Sequence, residues 1–366
     1  MNSQQLYQWI EQVANDFPVL GKWQAKGLAL FSAGVVLAER CTLSKVAEKL
    51  LLVGKPDSLE RRLQRWIANP RLDQKAMSRC WIEAVVRAVA SDEWVLLVDE
   101  TKLSDHLSVM VVGLAYQSTC IPLVWRCYTP DNYPPEGQVK LIEALVMQVV
   151  SCLPDTCRVL LQADRGLGTS PDLIEAISAL GIFFLFRVQS STRFRQAEGK
   201  EYALKELAQI GQEWQGEGEA FKKHGWLSVR VVVVQGVGYS DMWCLVTNAP
   251  QVHGADYATR YWQEASFRDL KSDGWHWQRS QVWQPDHAER LLFILVVAYA
   301  WTLTHGTVAR QASQEVRALI TRGKQVMYSL FREGLRYLNR LLHEQQPLYP
   351  GFYFVPYRVA YKSVVT

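Results

Sequence analysis

The 366-residue chain has no Cys-x-x-Cys pair, and its seven cysteines, at positions 41, 80, 120, 127, 152, 157 and 244, are odd in number. That pattern excludes a disulfide framework and points to reduced thiols of a cytoplasmic protein, with Cys152 and Cys157 structural and not metal-binding. No apolar run reaches the roughly 18 to 20 residues of a membrane span; the longest, Leu291 to Leu303, reads as part of a buried helix expected over His287 to Leu303. Met1 to Ile10 lacks a basic segment leading into an apolar one, so no secretory signal is expected. The formal net charge is only +4, so any affinity for nucleic acid must come from local basic clusters and not from a global field. His253, His276 and His287 are scattered without ligand spacing such as HExxH. Nothing resembles GxSxG or a Walker loop, which removes serine-hydrolase and nucleotide-hydrolase chemistry and any need for a nucleotide cofactor. No internal repeat or low-complexity tract is present, and a hydrophobic content of 49% is ample for two or three domains with real cores.

What is present begins with a helical, locally basic stretch over residues 1–91. Leu43 to Leu52 predicts a short amphipathic helix, and Val53-Gly54-Lys55-Pro56 a tight link. Asp57 with Glu60 three residues on has the form of a capping box, and Leu59, Leu63, Trp66 and Ile67 then repeat at helical spacing until Asn69-Pro70. The other side carries Arg61, Arg62 and Arg65. The pair suits a helix-turn-helix with its second helix in the DNA major groove, and equally a helical bundle with a solvated arginine face.

From Trp94 the pattern turns to strands. Trp94 to Thr101, Leu107 to Tyr116 and Ile121 to Tyr128 form three β-rich runs, followed by a helix over Glu136 to Leu153 and a strand over Arg158 to Ala163. Ser170-Pro171 opens a helix that Gly181 ends, and Ile182 to Val188 returns as a strand. The order βββαβαβ, with a later helix, is that of an α/β fold with a ribonuclease-H-like mixed sheet over 92–189 and 251–305. Residues 190–250 read as an inserted β-rich region in which Trp226 to Gln235 and Tyr239 to Thr247 form a hairpin. In the helical part over 306–366, the helix expected over Arg317 to Leu342 carries Arg322, Lys324, Arg332, Arg336 and Arg340. That face suits DNA, a second protomer or plain solvent.

Two carboxylates close apolar strands: Asp99 follows Trp94 to Val98, and Asp164 follows Arg158 to Ala163. Both lie at carboxyl ends of central strands, where open α/β sheets place their ligands. Tyr257, Arg260, Glu264 and Lys271 then stand at Y-x2-R-x3-E-x6-K. At about 100° per residue these four share one helical arc of roughly 60°. An acid among two cations and a phenol can ligate a metal ion while Arg and Lys take phosphate oxygens. The same spacing also suits a solvated face with an Arg260/Glu264 ion pair. Three carboxylates gathered together repel one another unless cations neutralise them, and hard oxygen ligands without Cys or His favour Mg²⁺ or Mn²⁺. Two such ions about 3.5 to 4 Å apart can activate an attacking oxygen and stabilise the leaving one.

Asp99-Glu100-Thr101, Ala163-Asp164-Arg165-Gly166 and the Tyr257/Arg260/Glu264/Lys271 set together resemble the DDE transposases of bacterial insertion sequences, within them the YREK-signature group, or insertion sequence type four. The resemblance spans roughly Asp92 to Asp273. It implies that Asp99, Asp164 and Glu264 bind two metal ions as the catalytic triad and that Tyr257, Arg260 and Lys271 grip DNA phosphates. It further implies cut-and-paste transposition at terminal inverted repeats into target DNA, and a homodimer in the synaptic complex. Trp214, Trp226 and Trp243 offer candidate stacking partners for a flipped base, although tryptophans at such positions also serve the core. The rivals are a metal-dependent nuclease or resolvase on the same core, and a silent DNA-binding regulator.

Overall fold

The computed structural model describes residues 1–238, 241–312 and 328–355. The chain opens with helices α1 (Ser3–Asp16), α2 (Lys22–Ala38), α3 (Leu43–Glu48), α4 (Pro56–Ile67) and α5 (Gln74–Val89). In α4 the predicted apolar face holds, since Leu59, Leu63, Trp66 and Ile67 are all buried. The predicted capping box does not form. The helix starts at Pro56 with Lys55 as its N-cap and no side-chain cap bond, so Asp57 sits inside the first turn and complements the helix dipole there. α3 is also shorter than expected, ending before Leu51 and Leu52, which are exposed.

The sheet follows: β1 (Glu93–Ser104), β2 (Leu107–Tyr116) and β3 (Thr119–Tyr128) form an antiparallel meander. Helix α6 (Gly137–Val150) leads to β4 (Arg158–Ala163), which pairs parallel to β1. A single turn α7 (Arg165–Gly168) and helix α8 (Pro171–Ala179) lead to β5 (Phe183–Arg187), parallel to β4. Ser170 caps α8 by accepting from the Leu173 N–H, as the Ser-Pro pair predicts. The order β3-β2-β1-β4-β5 is a ribonuclease-H-like half-sheet, in agreement with the predicted α/β class.

The inserted region extends this sheet. Its strands are β6 (Arg193–Gln196), β7 (Glu201–Ala203), β8 (Gln212–Ala220), β9 (Leu227–Gln235) and β10 (Trp243–Thr247). β10 pairs antiparallel with β5, and one ten-stranded sheet runs β3-β2-β1-β4-β5-β10-β9-β8-β6-β7. The β9–β10 hairpin matches expectation, but β10 starts at Trp243; Tyr239, the expected start, lies outside the described residues. β8 was hidden in the sequence because Gln212 to Ala220 is polar and carries Gly216 and Gly218. Its strand state comes from a nine-pair ladder with the valine-rich β9.

After a 3₁₀ helix, Gly254–Arg260, come α9 (Tyr261–Lys271), α10 (Pro285–Gln311) and α11 (Leu330–His343). α10 is longer than the predicted run and, by length and composition alone, long and apolar enough to cross a membrane; 94% of its most apolar window is nonetheless buried inside this molecule. Its partners explain that burial. Trp9 stacks on Trp301 at 4.2 Å, Arg290 donates to the Ile67 carbonyl, and Trp125 donates to the Glu289 carbonyl. α11 crosses α10 so closely that a Cβ on Gly334 would lie 2.0 Å from the Thr302 carbonyl oxygen. Arg332, Arg336 and Arg340 lie on α11, while Arg322 and Lys324 fall outside the described residues. All seven cysteines are free.

Candidate active site

The parallel register of β1 on β4 pairs Val98 with Ala163, so the next residues, Asp99 and Asp164, emerge side by side at the carboxyl end of the sheet. Asp99 is still within β1, opposite Val111 of β2. Asp164 has left its strand and caps α7, its Oδ1 accepting from the Leu167 N–H at 3.0 Å. Gly168 lets this turn seat on β5, because a Cβ there would meet the Arg187 carbonyl oxygen at 2.5 Å.

The third side of the site is built by the segment carrying the four-residue signature. That segment is not one α-helix: Tyr257 and Arg260 belong to the 3₁₀ helix, Glu264 and Lys271 to α9. The common arc computed at 100° per residue therefore fails for Tyr257. Its ring is buried among Leu185, Val232, Val234 and Leu245, edge-on to Trp243 at 5.3 Å. Arg260, in contrast, reaches all three acids. Its Nη2 lies 3.0 Å from Asp99 Oδ2 and 3.8 Å from Asp164 Oδ2, and its Nη1 lies 3.7 Å from Glu264 Oε1. The arginine side chain is 6% exposed, against 16% for Asp99, 38% for Asp164 and 55% for Glu264, so the acids open outward from a buried cation. Lys271 ties the last turn of α9 to the far end of β1, donating to Thr101 Oγ1 and to the Lys102 carbonyl, both at 2.8 Å. Its ammonium pKa is lowered by burial.

Electrostatics single out Asp99. Its carboxyl is pushed up to about 6, first by burial, with Asp164 and Glu264 adding repulsion; Arg260 and the Glu100 N–H oppose the shift. The Glu100 N–H bond to Asp99 Oδ1 is 2.9 Å long. A carboxylate that resists ionisation beside two others is a favourable seat for a cation. The donor set consists of oxygens only, which suits Mg²⁺ or Mn²⁺. Asp99, Asp164 and Glu264 thus gather around Arg260 with the charge and donor type that suit a divalent metal, while their ligand atoms do not all lie within 4.8 Å of one another. Asp172, Glu175 and His224 form a separate exposed group whose ligand atoms all lie within 4.8 Å of one another.

A buried polar frame, which the sequence reading missed, holds the arginine in place. Gln162 of β4 donates to the Asp256 carbonyl at 2.9 Å and accepts from Thr259 Oγ1 at 2.8 Å. Gln263 of α9 donates to the Val111 carbonyl of β2 at 3.1 Å. The available signal was Gln162 itself, a polar residue near the end of an otherwise apolar strand.

Of the three predicted stacking tryptophans, Trp243 borders the signature segment, near Tyr257 and Tyr261. Trp214 packs on Phe194 across from Val233, on the other face of the sheet. Trp226 sits before β9 under Arg195, 4.5 Å from its ring centroid. Arg61 and Arg65 are exposed and Arg62 half-exposed on α4, away from the cluster of acids in the chain order and in the fold element that bears them.

Residues 142–301 match the family model of the transposase DDE domain. The match supports a DDE transposase, hence DNA as the partner, metal-dependent chemistry, and a part in transposition and DNA recombination. The matched span contains Asp164, Arg260, Glu264 and Lys271 and begins after Asp99, whose place beside Asp164 comes from the strand register. No curated protein matches the chain.

Proposed function

We propose that this protein is a cut-and-paste transposase of the YREK-signature group, insertion sequence type four, acting on the terminal inverted repeats of its own element. The observation that carries the reading is the convergence of Asp99, Asp164 and Glu264 on one guanidinium at the carboxyl end of a ribonuclease-H-like sheet. These three carboxylates hold Mg²⁺ or Mn²⁺, two ions per site. The ions supply Lewis-acid polarisation of the attacking and leaving oxygens of a phosphodiester.

The chain's own groups do the rest. Arg260 and Lys271 face the site with positive charge and bind phosphate oxygens, while Tyr257 packs beneath Trp243 and sets its ring as a stacking surface for a displaced base. Hydrolysis at the element's end frees a 3′ hydroxyl, and that hydroxyl then attacks target DNA. Arg61, Arg62 and Arg65 on α4 contact duplex phosphates, in keeping with their exposure. Two protomers bring two ends together, in the bacterial cytoplasm at the nucleoid.

The test is incubation with pre-cut ends bearing the repeats that flank the gene, supercoiled target DNA and Mg²⁺. Covalent joining is the expected result. Nicking without joining would make the protein a nuclease on the same core, and binding without either would make it a regulator.

A further inference from the structure

Arg260 is a buried arginine with most of its donors unused. Its side chain is 6% exposed, yet of its five donors one makes a hydrogen bond, from Nη2 to Asp99. Nε and Nη1 are buried without a hydrogen-bond partner. An arginine kept for a structural ion pair usually closes a two-pronged fork on one carboxylate, because an orphaned buried donor costs free energy. Here the group is instead spread over three acids at 3.0, 3.8 and 3.7 Å. Among the described residues, the group with ligand atoms mutually within 4.8 Å is Asp172, Glu175 and His224, so the three site carboxylates stand further apart, around the arginine.

We propose that Arg260 is the resident counter-cation of the acid cluster, occupying the position that a divalent ion must take, so that metal loading displaces it and frees its donors for phosphate. This rests on the reading of Asp99, Asp164 and Glu264 as the metal-holding set. The argument is one of charge and space. A guanidinium and a dication at the same carboxylates repel each other, and the carboxylates cannot draw together on an ion while the guanidinium lies between them. The anchoring of the 3₁₀ helix by Gln162 and Thr259 keeps the backbone of Arg260 in place, so displacement involves its side chain. Arg260 thereby acts as a positioning residue in two states: it holds the acids poised before the metal arrives, and it turns to the substrate afterwards. The ordering that follows is metal first, phosphate second.

The experiment is a Mn²⁺ titration of the DNA-free protein, read by the electron paramagnetic resonance of free Mn²⁺, for wild type, Arg260→Gln, Arg260→Lys and Asp164→Asn. Arg260→Gln is expected to bind Mn²⁺ about thirtyfold more tightly, the effect of one unit charge on a dication near 4 Å even at the dielectric constant of water. Arg260→Lys, which keeps the charge, should stay close to wild type, and Asp164→Asn should lose the site. Equal or weaker binding by folded Arg260→Gln, with Asp164→Asn impaired, overturns the inference and leaves the metal site standing. Unimpaired binding by Asp164→Asn overturns the metal-site reading itself. Should Arg260→Gln not fold, the Nε–H resonance of Arg260 in wild type, assigned by its absence in Arg260→Lys, must shift on adding Mg²⁺ without DNA. An unmoved resonance overturns the inference.

Discussion

Gln162→Leu tests how the fold fixes the site. The side chain is 1% exposed and makes two hydrogen bonds, donating to the Asp256 carbonyl and accepting from Thr259 Oγ1. Leucine fills similar space without either bond. The Asp256 carbonyl still accepts from Thr259 Oγ1 at 2.9 Å, so neither former partner is left orphaned. The Thr259 hydroxyl has a single proton, so its bonds to Gln162 Oε1 and to the Asp256 carbonyl are alternatives, and the net loss in Gln162→Leu is one hydrogen bond, about 1 kcal/mol. Thr259→Val removes the shared bond from the other side and also strands the Gln162 oxygen. Thr259→Val should therefore lose about 1 to 3 kcal/mol more than Gln162→Leu, the cost of a buried acceptor left without a donor. Urea-induced unfolding of wild type and the two variants measures this, and strand joining measured in parallel should fall in both variants, since Arg260 follows Thr259 directly in the 3₁₀ helix. Equal losses in the two variants would refute the linkage. Full joining activity in Gln162→Leu would refute its role in holding the site.

Glu289 is buried in α10, where its carboxyl is pushed up to about 7 by burial, against the pull of the Cys127 N–H and Arg126. Below the ordinary glutamate range the group is protonated in both states and costs nothing; as pH rises toward 7 the unfolded chain ionises first and stability falls. Glu289→Gln keeps an acceptor for Cys127 and should stabilise the protein at pH 8 by about 3 kcal/mol and by almost nothing at pH 4, read from thermal unfolding at both pH values; an equal shift at the two would contradict the assignment. Gly334→Ala forces a methyl group against the Thr302 carbonyl of α10, and since backbone cannot swing aside it should destabilise by about 1 to 3 kcal/mol or more; an unchanged melting temperature would mean that the α10–α11 crossing is looser than described.

Much of this architecture is readable from residue pattern. The apolar runs before Asp99 and Asp164 mark strands buried on both faces, and the Ser170-Pro171 and Gly181 signals bound α8 because capping and left-handed termination are local effects. What escaped depends on partners far along the chain. β8 has a polar, glycine-bearing sequence and is a strand through its ladder with β9. The 3₁₀ geometry of Gly254–Arg260 follows from its anchoring by Gln162, and no periodicity in Tyr257 to Lys271 announces the switch. Tyr257 turned inward for that reason. α10 runs on past Leu303, where the expected helix ended, because the polar His305 and Thr307 are buried with their side chains bonded to the Trp301 and Leu303 carbonyls one turn back. The position of Asp99 and Asp164 at strand ends is legible because it follows from local pattern, whereas the guanidinium's place among the acids is a property of the folded chain.

The most direct measurement of the central claim is affinity cleavage by bound iron. Fe²⁺ loaded at the proposed metal site generates hydroxyl radicals with ascorbate and peroxide, and mass spectrometry maps where the backbone is cut. The account predicts cuts beside Asp99, Asp164 and Glu264 together, suppressed by excess Mg²⁺ and lost in Asp164→Asn. Cuts confined to the neighbourhood of Asp172, Glu175 and His224 would contradict it.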